Sequence, residues 1–270
     1  MALVLYEHPL SPYARKVKIV IYAKGLPLER RFVNPLASMD DPGTRAFVAA
    51  SPRLEVPCLV DGGPDGEVRL FDSTIMLEYL EERYPEPPMQ PASPAERARV
   101  RMLEEICDTE LEAVNWGVME LRVFKRAEGA RADEMLATAG RQLERLWGRL
   151  ERELAGRAWM NGECFGRGDA AVWPHVAGSA FFGFPLPAGR FPKLADWSAR
   201  CAAEPAVAKD SADLAAWVKE NMKPGADLSG MPVVRQYRDH RLEWMMKSGG
   251  REIVLRGLDA GTIKFAAEHA

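Results

Sequence analysis

The sequence predicts a small α/β domain followed by an all-helical one, and three observations carry that prediction. Over the first 84 residues the apolar pattern switches repeatedly between strand and helix periods. The stretch "PEPPMQPASP" (85–94) then places five prolines in ten residues, which no helix continues and which favours an extended spacer. Beyond it come long runs rich in Ala, Leu, Glu and Arg with no β-branched alternation. The domains are accordingly set at 1–84 and 95–222, with 223–270 as a C-terminal extension that the helical domain does not obviously need.

In chain order, "ALVLY" (2–6) reads as an apolar strand at the very start, with no basic leader before it. From Pro12 to Lys24 the pattern is helical: Val17, Val20 and Ile21 share a face, and Arg15, Lys16, Lys18 and Lys24 fall mostly outside it. Gly25 and Pro27 stop that helix. "LERRFV" (28–33) reads as a second strand, and a loop with Pro35, Pro42 and Gly43 leads to a short helix around 44–50. "VPCLVD" (56–61), the turn "GGPDG" (62–66) and "EVRLF" (67–71) read as a hairpin. A helix follows from Ser73 to Tyr84, with Ile75, Met76, Tyr79 and Leu80 on its apolar face. The order is β-α-β-α-β-β-α. After the linker, helices are expected over 95–126, 132–155, 167–183, 194–203 and 210–222. In the extension one helix is expected from Val233 to Lys247, and the segment Trp244–Met246 is expected to pack on something. Arg235, Arg238 and Arg241, spaced by three, read as a solvated face.

The totals narrow the function. A net charge of −3 over 270 residues gives no general attraction for nucleic acid or an anionic membrane. No apolar stretch approaches the roughly 20 residues of a membrane helix. The four cysteines are scattered, as suits reduced thiols in the cytoplasm, and no histidine pairs with one at metal-ligand spacing, so no metal is expected.

Ser11 followed by Pro12 is an N-cap with proline at the first helical position. Ala14 stands where a capping box would need Glu or Gln. The same geometry suits an anion, including a thiolate. Lowering a free thiol's pKa of about 8.5 by two units takes about 2.7 kcal/mol. A hydrogen bond to charged sulfur, roughly 1.5–3 kcal/mol, and a helix dipole, roughly 0.3–1 kcal/mol, are together of that order. Ser11 has no evident base of its own, so its chemical role is to donate to another molecule's sulfur. Pro57, opening a strand, is either an ordinary edge proline or a cis residue that turns the backbone of Val56 toward a bound peptide. Asp72 and Ser73 either cap the next helix or grip the amine and carboxylate of an amino-acid head.

As a set, "SPYARKVKI", "VPCLV" and "DSTIMLEYLEERYP" resemble the cytosolic glutathione S-transferases, of a serine, bacterial type. The resemblance covers roughly 2–222. It implies a thioredoxin-like N-terminal domain that binds glutathione and an all-α C-terminal domain that supplies a pocket for a hydrophobic electrophile. It further implies that Ser11 stabilises the glutathione thiolate, that Val56 before Pro57 pairs with the cysteinyl part, and that Asp72 and Ser73 hold the γ-glutamyl group. Glutathione is then a co-substrate, and the family expectation is a homodimer acting in detoxification. The electrophile pocket falls between Ser11 and the first long helix, with Leu111, Trp116, Met119 and Glu120 as candidate walls beside Cys107 and Val123. "FGRGDAAVW" (165–173) resembles the family's buried capping segment, with Gly166 where Ser or Thr is usual.

The sequence departs from the pattern in two places. Asp72 stands where Glu is common, and "SPRLEVP" puts Leu54 and Glu55 at positions that in the family often help bind the glycyl end. Glu55 would repel that carboxylate, Arg53 and Arg15 are the candidate substitutes, and the glycyl contact is left unassigned. A rival lies within the same fold. "MLEYLEERYPEPPMQP" with "ASPAERARVRMLEEI" resembles the stringent starvation protein A family, which binds RNA polymerase and is not known for conjugation. A thiol–disulfide enzyme would need a cysteine at position 11, and the first cysteine is Cys58.

Overall fold

The first strand, β1 (Leu3–Glu7), pairs in parallel with β2 (Leu28–Phe32) and antiparallel with β3 (Cys58–Gly63), which turns back into β4 (Gly66–Phe71). The sheet order is β2-β1-β3-β4. This computed structural model describes residues 3–33, 41–51, 53–63, 66–222, 235–236 and 239–264. Helices α1 (Pro12–Ala23) and α3 (Ser73–Arg83) pack together, with α1 placing Val17, Val20 and Ile21 in a core with Leu3 and Leu5. On the other face α2 (Pro42–Ala50), capped by Asp41, sets Phe47 against Tyr6. The thioredoxin-like layering is therefore present.

The helical half comprises α4 (Pro94–Ile106), a π-helical turn (Cys107–Leu111), α5 (Glu112–Arg122), α6 (Gly129–Glu153), α7 (Arg167–Phe181), α8 (Pro192–Ala203) and α9 (Pro205–Asn221). The run expected over 95–126 is thus broken by an extra residue per turn at 107–111. There the Asp108 carbonyl accepts from the Tyr13 hydroxyl of α1 at 2.7 Å, a bond no helix periodicity encodes. At α7, Asp169 accepts from the amides of Met160, Asn161 and Gly166 and from the Trp197 indole. Burial pushes its carboxyl up to about 6 against those donors. Glycine stands at 166 because a β-carbon there would overlap Asn161 and the Met89 carbonyl.

The basic residues of α1 correct the sequence reading. Arg15, Lys16, Lys18 and Lys24, expected mostly outside, are buried, because α7 and α9 pack on the side of α1 away from the sheet. Each meets a carboxylate there: Arg15 with Asp210 at 2.8 Å, Lys18 with Glu7 at 3.0 Å, Lys24 with Glu81 at 2.8 Å, and Lys16 with Glu104 at 2.6 Å. The proline linker is tied down as well. Lys24 donates to the Tyr84 and Pro87 carbonyls, and Glu81 accepts from the Met89 amide.

The extension forms two short helices, α10 (Asp239–Lys247) and α11 (Arg251–Asp259), rather than one from Val233, and residues 233–234 lie outside the described part. The side chains of Arg235, Arg238 and Arg241 are also outside it. Trp244 lies against the backbone of Gly117 on α5 and donates to Gln142 on α6, so this part of the extension wraps the helical half.

Candidate functional site

Tyr6, Cys58 and Phe71 form one row across β1, β3 and β4. The segments beyond that row, 8–11, 54–57 and 72–73, therefore gather at one end of the sheet. They carry Ser11, Val56, Asp72 and Ser73. Ser11 is the N-cap of α1, half-buried, with its oxygen accepting from the Ala14 amide at 3.3 Å. Its own amide donates to the His8 carbonyl at 2.8 Å. Since the oxygen only accepts in that cap, the hydroxyl proton is left to donate elsewhere.

The bond between Val56 and Pro57 is cis. Ahead of it, the Ser51 hydroxyl accepts from the Glu55 amide and donates to its carbonyl, which pins the loop. Asp72 caps α3 through one oxygen, Oδ1, which accepts from Thr74 and Ile75 at 2.9 and 3.3 Å. Neither bond uses Oδ2, and the residue is exposed. Its φ of 70° is a left-handed conformation that costs a non-glycine residue about 1–3 kcal/mol. Ser73 follows, buried in the first turn of α3.

Other sequence-named residues lie elsewhere. Arg15 is committed to Asp210, and Arg53 pairs with Glu55 at 3.2 Å while its guanidinium lies over Phe71. Arg53 thus offsets the charge that Glu55 brings to this loop. Leu111 and Glu120 are fully buried, Glu120 with Arg126 at 3.8 Å, whereas Trp116 and Met119 are half-buried. Cys58 donates to the Ala50 carbonyl inside β3, and burial pushes its thiol up to about 11. Burial also raises the Cys107 and Cys201 thiols. None of these three is a ready nucleophile.

An aromatic group beside Ser11 was not legible. His8 sits 5.3 Å from the Phe32 ring and 5.1 Å from Trp217 of α9, and its Nδ1 accepts from the Leu10 amide. Burial lowers its pKa to about 4, against the opposing pull of Glu7, so the ring is neutral. Nothing local marks it, because its partners come from β2 and α9. Among the described residues no cluster of three or more His, Cys, Asp or Glu could hold a metal.

Two family models match the chain: the glutathione S-transferase N-terminal domain over 5–88 and the glutathione S-transferase C-terminal domain over 114–205. A stringent starvation protein A homolog of Haemophilus ducreyi is 33% identical over 137 residues, covering 49% of this chain and 59% of that protein. The chain thus spans about three fifths of that relative. Maleylacetoacetate isomerase of Pseudomonas aeruginosa is 28% identical over 198 residues, 72% of this chain and 90% of the isomerase. Among solved structures, a glutathione S-transferase of Methylobacterium radiotolerans in complex with glutathione sulfonate superposes with a TM-score of 0.64. The two are 29% identical, over 78% of this chain and 94% of that one.

Proposed function

The chain belongs to the glutathione S-transferase family, and from that premise we propose that it binds glutathione at the sheet end and holds its sulfur as a thiolate for attack on a hydrophobic electrophile. The observation that carries this reading is Ser11: a helix N-cap whose oxygen accepts in the cap and whose proton is left for a ligand. Val56 before Pro57 pairs with the cysteinyl backbone. Asp72 Oδ2 takes the γ-glutamyl amine, and Ser73 with the start of α3 takes its carboxylate. Glutathione complexes among the structural neighbours support the ligand. The half-buried Trp116 and Met119 remain candidates for the electrophile wall. Leu111 and Glu120 act there only through packing. Four free cysteines agree with a reducing compartment, the cytoplasm, where glutathione is reduced. A detoxifying role follows from that chemistry.

The rival reading is a non-catalytic interaction protein that binds RNA polymerase, favoured by the stringent starvation protein A homolog. Turnover decides between them. With glutathione and a panel of apolar electrophiles, conjugation or isomerisation is expected, and Ser11→Ala should lower kcat/KM roughly 10- to 100-fold, the worth of one hydrogen bond to a charged atom. No turnover with any electrophile favours the rival, whereas turnover indifferent to Ser11→Ala overturns the role given to Ser11.

A further inference from the structure

Between the two halves of the molecule the buried charges form an alternating chain. Lys16, fully buried, donates to Glu104 Oε1 at 2.6 Å and to Asp108, and its third donor faces the Thr74 hydroxyl at 3.4 Å. Thr74 in turn donates to the same Glu104 oxygen at 2.9 Å. The other Glu104 oxygen takes Arg167 at 2.7 and 2.9 Å, and Asp108 meets His175 at 3.2 Å. Burial alone would lower the Lys16 pKa, but Asp108 and Glu104 hold it above its ordinary value, so the ammonium stays charged.

Stability does not require this arrangement, since apolar residues of similar volume commonly serve as well as a buried ion pair. What charges add is a fixed geometry, and the elements joined here are specific. Lys16 lies in α1, five residues after Ser11. Thr74 lies in α3, directly after Asp72 and Ser73. Glu104 and Asp108 belong to the helical half.

We propose that Lys16 is a positioning residue, which through Thr74 and Glu104 fixes the start of α3 relative to the start of α1. It thereby sets the distance between the γ-glutamyl end and the thiol end of bound glutathione. The inference rests on the glutathione reading above. Lys16→Met removes the cation that two buried carboxylates share and endangers folding, so the tie is tested at its partly exposed end. Thr74→Val keeps shape and charge pairing but removes both hydroxyl bonds, whereas Thr74→Ser keeps them.

Affinities for glutathione and for cysteinylglycine, which lacks the γ-glutamyl group, are measured on wild type and both variants, with the thiol pKa of bound glutathione. Thr74→Val should weaken glutathione about tenfold, the effect of one misplaced contact. Cysteinylglycine binding and the thiol pKa should stay unchanged, and Thr74→Ser should bind as wild type. Unchanged glutathione affinity in Thr74→Val, or a parallel loss of both peptides, overturns the positioning role. Wild-type protein that binds neither peptide overturns the glutathione reading and this inference with it.

Discussion

The Ser11 hydroxyl accepts from Ala14 at 3.3 Å while the Asp72 carboxylate spends only Oδ1 on the cap of α3. Each residue therefore starts a helix and keeps one polar atom that the cap does not use. Both were legible because a cap is a short-range event: the acceptor and the amides it satisfies lie within three or four residues. His8 was not legible, since its environment is Phe32 and Trp217, remote in sequence. Its pKa gives a pH signature. A histidine at about 4 when folded and about 6.5 when unfolded contributes stability that is complete above pH 6.5 and is lost as pH falls toward 4. Relative to His8→Asn, which retains an acceptor for Leu10, wild type should lose about 2 kcal/mol between pH 7 and pH 4.5 in urea unfolding. A constant difference between the two proteins would show that His8 stays hydrated in the folded state.

At the scale of elements, the strands and the order β-α-β-α-β-β-α followed from periodicity, whereas the surroundings of α1 did not. Hydrophobic period assigns Arg15, Lys16, Lys18 and Lys24 to the outside, and only carboxylates remote in sequence, such as Glu104 and Asp210, make their burial tolerable. The extension was equally opaque. Its apolar residues signalled packing, but the Trp244 ring packs on the bare backbone at Gly117, which carries no side-chain signal. A β-carbon there would overlap the Trp244 ring. Gly117→Ala should cost about 1–3 kcal/mol through overpacking. It should also speed amide exchange in α10 and α11 at least roughly tenfold relative to α6. Unchanged exchange in those helices would contradict the docking of Trp244 on α5.

For the whole molecule, the packing of α1 against α7 and α9 makes one unit of the glutathione-fold half and the helical half. A second feature lies on the surface. Leu54, Phe71, Ile75 and Met102 are exposed apolar side chains on the loop before β3, on β4, on α3 and on α4. Association of two copies, the family expectation, would give exposed apolar side chains such as these a surface to pack on. Light scattering should then give about twice the 30.0 kDa chain mass. The pair Ile75→Glu and Met102→Glu should reduce it to the single-chain value. A single-chain mass for wild type would contradict the dimer.

The central claim is that Ser11 holds the glutathione sulfur as a thiolate. An ultraviolet difference titration of bound glutathione tests it most directly, with Ser11→Ala alongside. The account predicts a thiolate band that titrates about two units below the free thiol's pKa of about 8.5, and that returns to that value in the variant. Glutathione that binds with its thiol unshifted in wild type, or equally shifted in both proteins, would contradict it.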